Sequence, residues 1–157
     1  MKKKNKIALL ANTSNFFNSF FLQHIHLLSK NYELLICCNN AYKLKKNVPK
    51  NTKLIDIKYK RGINFLSDIF TLFHTLIFFL KNRPYIAISF TPKIGFMTSL
   101  SSLVAGTPNR IHWFTGQVWT TKKSFLRKFY KFIDKLIFYN SKYVLIDSHS
   151  QEKFLIE

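Results

Sequence analysis

The chain has 157 residues, enough for one packed domain with one core. Its 47% hydrophobic and 17% aromatic content excludes a disordered or low-complexity chain. Lys and Arg number 25 against seven Asp and Glu, a formal charge of +18. That field attracts polyanions: nucleic acid, anionic lipid headgroups or phosphorylated substrates.

After the basic residues 2–6, the apolar run at 7–11 is too short for a signal-peptide core. Residues 7–10 read as a buried strand, followed by a polar segment at 12–15. Residues 16–29 have helical length, with Phe17, Phe20, Phe21, His24 and Leu28 as the apolar stripe. Residues 34–38 form a second buried strand. It contains Cys37 and Cys38, which as neighbours do not bridge and read as buried thiols in a reducing compartment. A basic loop leads to a third strand at 54–57.

Residues 63–81 predict a long helix, ended at Arg83-Pro84 because a residue before proline leaves the helical region. Asp68 and His74 interrupt this apolar stretch, so it is not assigned as a membrane span. A fourth strand at 85–90 precedes a helix at 94–105, closed by Gly106 and Pro108. Residues 110–114 are strand five, 123–140 a basic amphipathic helix, and 143–146 strand six. Ser148 and Gln151 have capping-box spacing, so a last helix begins there and has barely started at Glu157.

Strands alternating with helical stretches predict an α/β domain over residues 1–157: a Rossmann-like open parallel sheet with helices on both faces. Such sheets bind ligands at the carboxyl ends of their strands, which selects the loops at 12–15, 39–42, 91–93, 115–121 and 148–150. In the fifth-strand loop, Gly116 lets backbone approach a ligand, and Thr120, Thr121, Lys122 and Lys123 before a helix can meet an anion; Thr115, Gly116, Gln117 and Lys122 are the binding candidates there. An ordinary turn over a buried Trp119 is the competing reading. Thr91 and Lys93 stand likewise after strand four, either facing a phosphate or opening a helix with a solvated lysine. Thr13, Ser14 and Asn15 occupy the first loop, where a dinucleotide fold would carry glycines. Neither GxGxxG nor GxxxxGK[ST] occurs.

His24 and His26 fall on different helix faces, His74 reads as core or a buried polar tip, and no HExxH, CxxC or carboxylate pair is present. No metal site is expected. The helix at 63–80 is apolar around most of its circumference. The basic helix sets Phe125, Phe129, Phe132, Ile133, Leu136 and Ile137 against Arg127, Lys128, Lys131 and Lys135. Either helix could lie at an anionic bilayer interface or simply cover the sheet. No nucleic-acid reading motif is present, and no specific nucleic acid is expected.

Three segments stand in order: SFTPKIG at 89–95, RIHWFTGQVW at 110–119 and VLIDSHSQ at 144–151. Together they resemble the N-terminal, acceptor-side half of a bacterial family 4 glycosyltransferase of the capsular, O-antigen or glycan-assembly type, most strongly from residue 85 onward. The resemblance implies the N-terminal half of a GT-B fold and retaining, metal-independent transfer from a nucleotide sugar, which is a substrate and no cofactor. It implies a lipid-linked glycan acceptor and a cytoplasmic, peripheral position on the anionic inner face of the plasma membrane. Thr115 stands where many relatives place a histidine, so an imidazole role does not carry over and the catalytic residue stays unassigned. The donor-binding half would follow residue 157 or come as a separate chain, and the fragment alone is expected to be inactive. The alternative is a standalone basic α/β module that binds anionic lipid or nucleic acid.

Overall fold

The apolar runs at 7–11 and 34–38 become strands because, with helices on both faces, both of their side-chain rows are buried. The computed structural model describes residues 4–60, 62 and 64–156. The strands are β1 (Lys6–Thr13), β2 (Glu33–Asn39), β3 (Lys53–Asp56), β4 (Ile86–Ser89), β5 (Asn109–Phe114) and β6 (Tyr143–Ile146). They form one parallel sheet in the order β3-β2-β1-β4-β5-β6. Leu10 lies between Cys37 and Ser89, and Ser89 pairs onward with His112. The Rossmann-like α/β fold read from the sequence is the fold observed.

Alternation along β1 divides the core in two. Ile7, Leu9 and Ala11 join Phe17, Phe21, Ile25 and Phe90 on one side. Ala8 and Leu10 join Phe78, Phe79, Ile94 and Met97 on the other. Cys37 and Cys38 are free and buried in the sheet, one on each side. Burial pushes both thiols up, Cys38 to about 12, so neither is a thiolate near neutral pH.

The first helical stretch departs from its predicted stripe. It runs from α1 (Ser14–Phe16) through a π-turn (Phe17–Phe21) into α2 (Leu22–Ser29). Phe17, Phe21, Ile25 and Ser29 are buried, whereas Phe20 is 74% exposed and His24 lies at the surface, stacked on Phe21. The wider i→i+5 turn keeps Phe17 and Phe21 in line and turns Phe20 outward. His74, expected in the core, is also exposed.

On the other side α3 (Phe65–Asn82), α4 (Pro92–Val104) and α5 (Ser124–Asn140) pack side by side. The predicted start of α3 at Ile63 lies outside the described residues. Asn64 caps α3 by accepting from Ser67 N–H at 3.0 Å, while its own N–H donates to Asp68 at 3.1 Å. Arg83 ends the helix with φ +45°, as the following proline requires a departure from helical geometry. By length and composition alone α3 could cross a bilayer. Its inner row Thr71, Thr75, Phe78 and Phe79 is buried, which makes it a sheet-covering helix. In α5 only Asp134 and Ile137 are buried, and Phe125, Phe129 and Phe132 are exposed. Most of its predicted apolar face is therefore left open.

Candidate functional site

The strand order reverses between β1 and β4, so the carboxyl ends of β1, β4 and β5 form the crevice where open α/β sheets take ligands. At the end of β1 there is no loop. Asn12 and Thr13 complete the strand, and Ser14 and Asn15 already belong to α1. Ser14 is buried and Asn15 exposed. The predicted polar loop at 12–15 is corrected to a direct strand-to-helix junction, with Thr13 as an extended N-cap. The polar side chains are short enough to be taken up by the strand end and the first turn, so no linker is needed.

At the end of β4, Phe90 is buried, Thr91 is the N-cap of α4 and Pro92 sits in its first turn. Lys93 does not lie unpaired over the sheet edge. Its Nζ pairs with Asp68 at 2.6 Å and donates to the carbonyls of Lys60 and Gly62 at 2.8 and 2.6 Å. The lysine ties α4 to the start of α3.

The loop after β5 is the best-formed part of the rim. Thr115 Oγ1 donates to the Phe90 carbonyl at 3.1 Å, joining it to the β4 loop. Gly116 takes φ +149°, a conformation that favours glycine, and nothing lies within 4 Å of where a Cβ would stand. The open space above its backbone would admit a ligand. Gln117 leads into a 3-10 turn, Val118–Thr121, whose Thr120 and Thr121 hydroxyls close back on the carbonyls of Gln117 and Val118. Lys122, half-buried, donates its N–H to the Trp119 carbonyl at 3.1 Å.

Two tryptophans hold this loop from either end. Trp119 is buried, as the competing reading of an ordinary turn has it, and donates its indole N–H to Asp134 of α5 at 3.0 Å, with the Arg127 and Lys131 cations 5.5 and 4.5 Å from its ring centroid. Burial pushes the Asp134 carboxyl up to about 6, against the lowering effect of that hydrogen bond. Trp113 donates to Asp147 at 2.6 Å. Asp147 N–H in turn donates to Gln151 at 2.8 Å, and Gln151 N–H to Ser148 at 3.3 Å, opening α6 (His149–Ile156). The capping box is present with its glutamine arm shifted one residue upstream. Neither acid was singled out from the sequence, although Asp134 is the one acid among the basic residues of α5 and that is a readable signal.

Beneath the rim, His112 is 1% exposed, bonded through Nδ1 to Ser89 Oγ at 2.8 Å and packed against Gly95 of α4. Burial lowers its pKa to about 3, so it is a neutral core imidazole rather than a base open to substrate. The buried atoms Asn12 Oδ1, Thr91 Oγ1 and Gln117 Nε2, one from each of the three strand ends, have no protein partner. Among the described residues, no three His, Cys, Asp or Glu gather as a metal cluster. A concavity of about 730 Å³ lies at the opposite end of the sheet, where Lys6, Arg83 and Tyr85 line it. It collects the ends of α3 and α4, and its Lys6 ammonium is already bound to the Asn82 carbonyl at 3.2 Å. The rim, by contrast, is where the sequence motifs meet.

No family model matches the chain. The capsular polysaccharide biosynthesis glycosyltransferase CapM of Staphylococcus aureus is 29% identical over 99 residues, 63% of this chain and 26% of that protein. A candidate UDP-N-acetylglucosamine 2-epimerase of Listeria monocytogenes superposes with a TM-score of 0.71 at 11% identity, over 98% of this chain and 41% of its own. MurG of Acinetobacter baumannii superposes at 0.59 with 12% identity, over 90% and 41%. The fold is the Rossmann-like fold of GT-B glycosyltransferases and their epimerase neighbours. The chain spans about a quarter of the curated protein and about two fifths of each solved one.

Proposed function

We propose that this chain is the acceptor-side domain of a family 4 glycosyltransferase that builds capsular or other cell-surface polysaccharide from a nucleotide sugar. The observation that carries the reading is the similarity to a capsular glycosyltransferase over 63% of the chain. The convergence of segments 89–95, 110–119 and 144–151 on one rim of a GT-B-type sheet supports it. Transfer is retaining and independent of metal, and the acceptor is a lipid-linked glycan at the inner membrane face. The net charge of +18 would draw the domain to that anionic surface and to a pyrophosphate group.

The chain's own residues suit positioning. Thr115 is spent on the Phe90 carbonyl, His112 is buried and neutral, and Lys93 is engaged by Asp68. The rim supplies the open backbone of Gly116. Aligning a hydroxyl with a sugar held across a cleft is worth much of the rate in such a transfer. The donor side would come from a second Rossmann-like domain, in the same polypeptide or another, so the chain alone is inactive.

The test is transfer of radiolabelled sugar from UDP-sugars to a lipid extract of a capsulated bacterium, using the chain with and without a fused donor domain from a capsular transferase. Labelled lipid formed only by the fusion is the expected result. Failure of every fusion, with the fold intact, or tight lipid-independent RNA binding, would overturn the reading in favour of a binding module.

A further inference from the structure

The long helix α3 carries two apolar faces, and the sheet uses one. Thr71, Thr75, Phe78 and Phe79 form the inner row. Leu66, Ile69, Phe70, Phe73, Ile77 and Leu80 form the outer one, each between 37% and 71% exposed. Their spacing of three and four places them on an arc of about 100° along the whole helix. Exposed apolar side chains scattered singly need no explanation, but a continuous stripe of this length marks an interaction surface.

We propose that the outer stripe of α3 seats the chain on an anionic bilayer, lying in the interface while the sheet stays in water. This rests on the membrane-associated part of the reading above and names the surface that performs it. The charges around the stripe select the occupant. Asp68 is the one acid of α3, and Lys93 neutralises it from the inner side. Lys58 and Lys60 lie exposed before the helix, and Lys81 and Arg83 at its end. In the same helical layer, α5 leaves Phe125 and Phe132 exposed beside Lys128 and Lys135. Aromatic and aliphatic side chains ringed by ammonium groups fit the acyl–headgroup boundary of an anionic membrane. A second copy of the chain would bring two charges of +18 together, which Coulomb repulsion opposes.

The experiment is flotation of the chain with phosphatidylglycerol-containing vesicles and with pure phosphatidylcholine vesicles, beside the triple variant Phe70→Ser/Phe73→Ser/Ile77→Ser. All three positions are exposed, so the variant keeps the fold, checked by circular dichroism and urea midpoint. Expected are binding to the anionic vesicles that weakens with salt, and a loss of at least about tenfold in the variant. A fluorophore on Phe73→Cys should shift to the blue on adding the same vesicles, which tests insertion without altering the rest of the stripe. Equal vesicle binding by variant and wild type, with no shift at position 73, overturns the assignment of the surface and leaves the transferase reading standing. Binding of the wild type to neither vesicle removes the membrane part of that reading as well. A dimer in sedimentation that the triple variant dissolves would assign the stripe to a second copy and equally overturn the proposal.

Discussion

The helical layer meets the sheet closely at Gly95, and replacing it by alanine sets two effects of opposite sign against each other. A Cβ there would stand 2.6 Å from His112 Nδ1 and 3.1 Å from Ile137 Cδ1, and would press further into the imidazole edge. Gly95 sits inside α4, where alanine is intrinsically better by about 1 kcal/mol. Overpacking a filled core costs about 1–3 kcal/mol. Displacing the ring also strains the 2.8 Å bond to Ser89, worth about 1 kcal/mol more. His112 cannot yield easily, because Phe114 closes on it edge-to-face with centroids 4.4 Å apart. The net expectation for Gly95→Ala is a loss of about 2 kcal/mol, or roughly 4–8 °C in Tm for a chain of this size. Urea and thermal unfolding measure it. In a His112→Ala background the same substitution should become neutral or stabilising, since the ring it strikes is gone. A Gly95→Ala chain more stable than wild type would show that helix propensity outweighs the contact, and the close approach of α4 to β5 would be refuted.

Two buried groups give stability opposite pH slopes. His112, lowered to about 3, stays neutral in the folded chain while the unfolded chain takes up its proton below about 6.5. On its own His112 therefore makes stability fall by up to about 1.4 kcal/mol per pH unit on acidification through that window; between about pH 6 and 4 Asp134 opposes it, so His112→Gln should leave stability falling as pH rises, read in urea melts. Asp134, raised to about 6, keeps its proton longer in the folded chain, so stability should fall as pH rises from about 4 to 6. Asp134→Asn should remove this contribution and unmask the loss of stability on acidification due to His112, while preserving an acceptor for the Trp119 indole, seen as an unchanged indole N–H resonance. Lys93→Ala should cost about 1–2 kcal/mol by freeing Asp68 and the carbonyls at 60 and 62, with Asp68→Asn/Lys93→Ala recovering part of it.

The alternation of strands and helices was legible because each buried strand is a short apolar run and each helix a longer periodic one. Strand six is observed at its predicted residues, and the others lie within one or two residues of theirs apart from β1, which runs three further, through Thr13. The π-turn at Phe17–Phe21 was not legible, since the spacing of Phe17, Phe20, Phe21 and His24 fits an ordinary helix equally well. At the rim, the sequence located Thr115, Gly116 and Gln117 at a strand end but could not show what holds them. The indole partners lie 15 and 34 residues away, a distance only the fold can close. Lys93 fails for the same reason: a lysine after a strand looks available until the β3–α3 connection folds over it. The second apolar face of α3 was readable as excess hydrophobicity, whereas which side remained open depended on the packing of α4.

These long-range bonds explain how three separated motifs act as one wall. Thr115 fastens the β5 loop to the β4 loop, Trp119 fastens its far end to α5, and Trp113 fastens the strand beneath it to the start of α6. The span from Thr115 to Val118 is held at both ends, so Gly116 can keep its unusual φ without the loop relaxing around it. A ligand meeting that backbone finds it already ordered, and binding loses little conformational entropy. Among the described residues, the same network places no free carboxylate or imidazole at the crevice between β1, β4 and β5. On the proposed reading such a domain orients an acceptor, and the groups that handle the developing charge would come from the donor side.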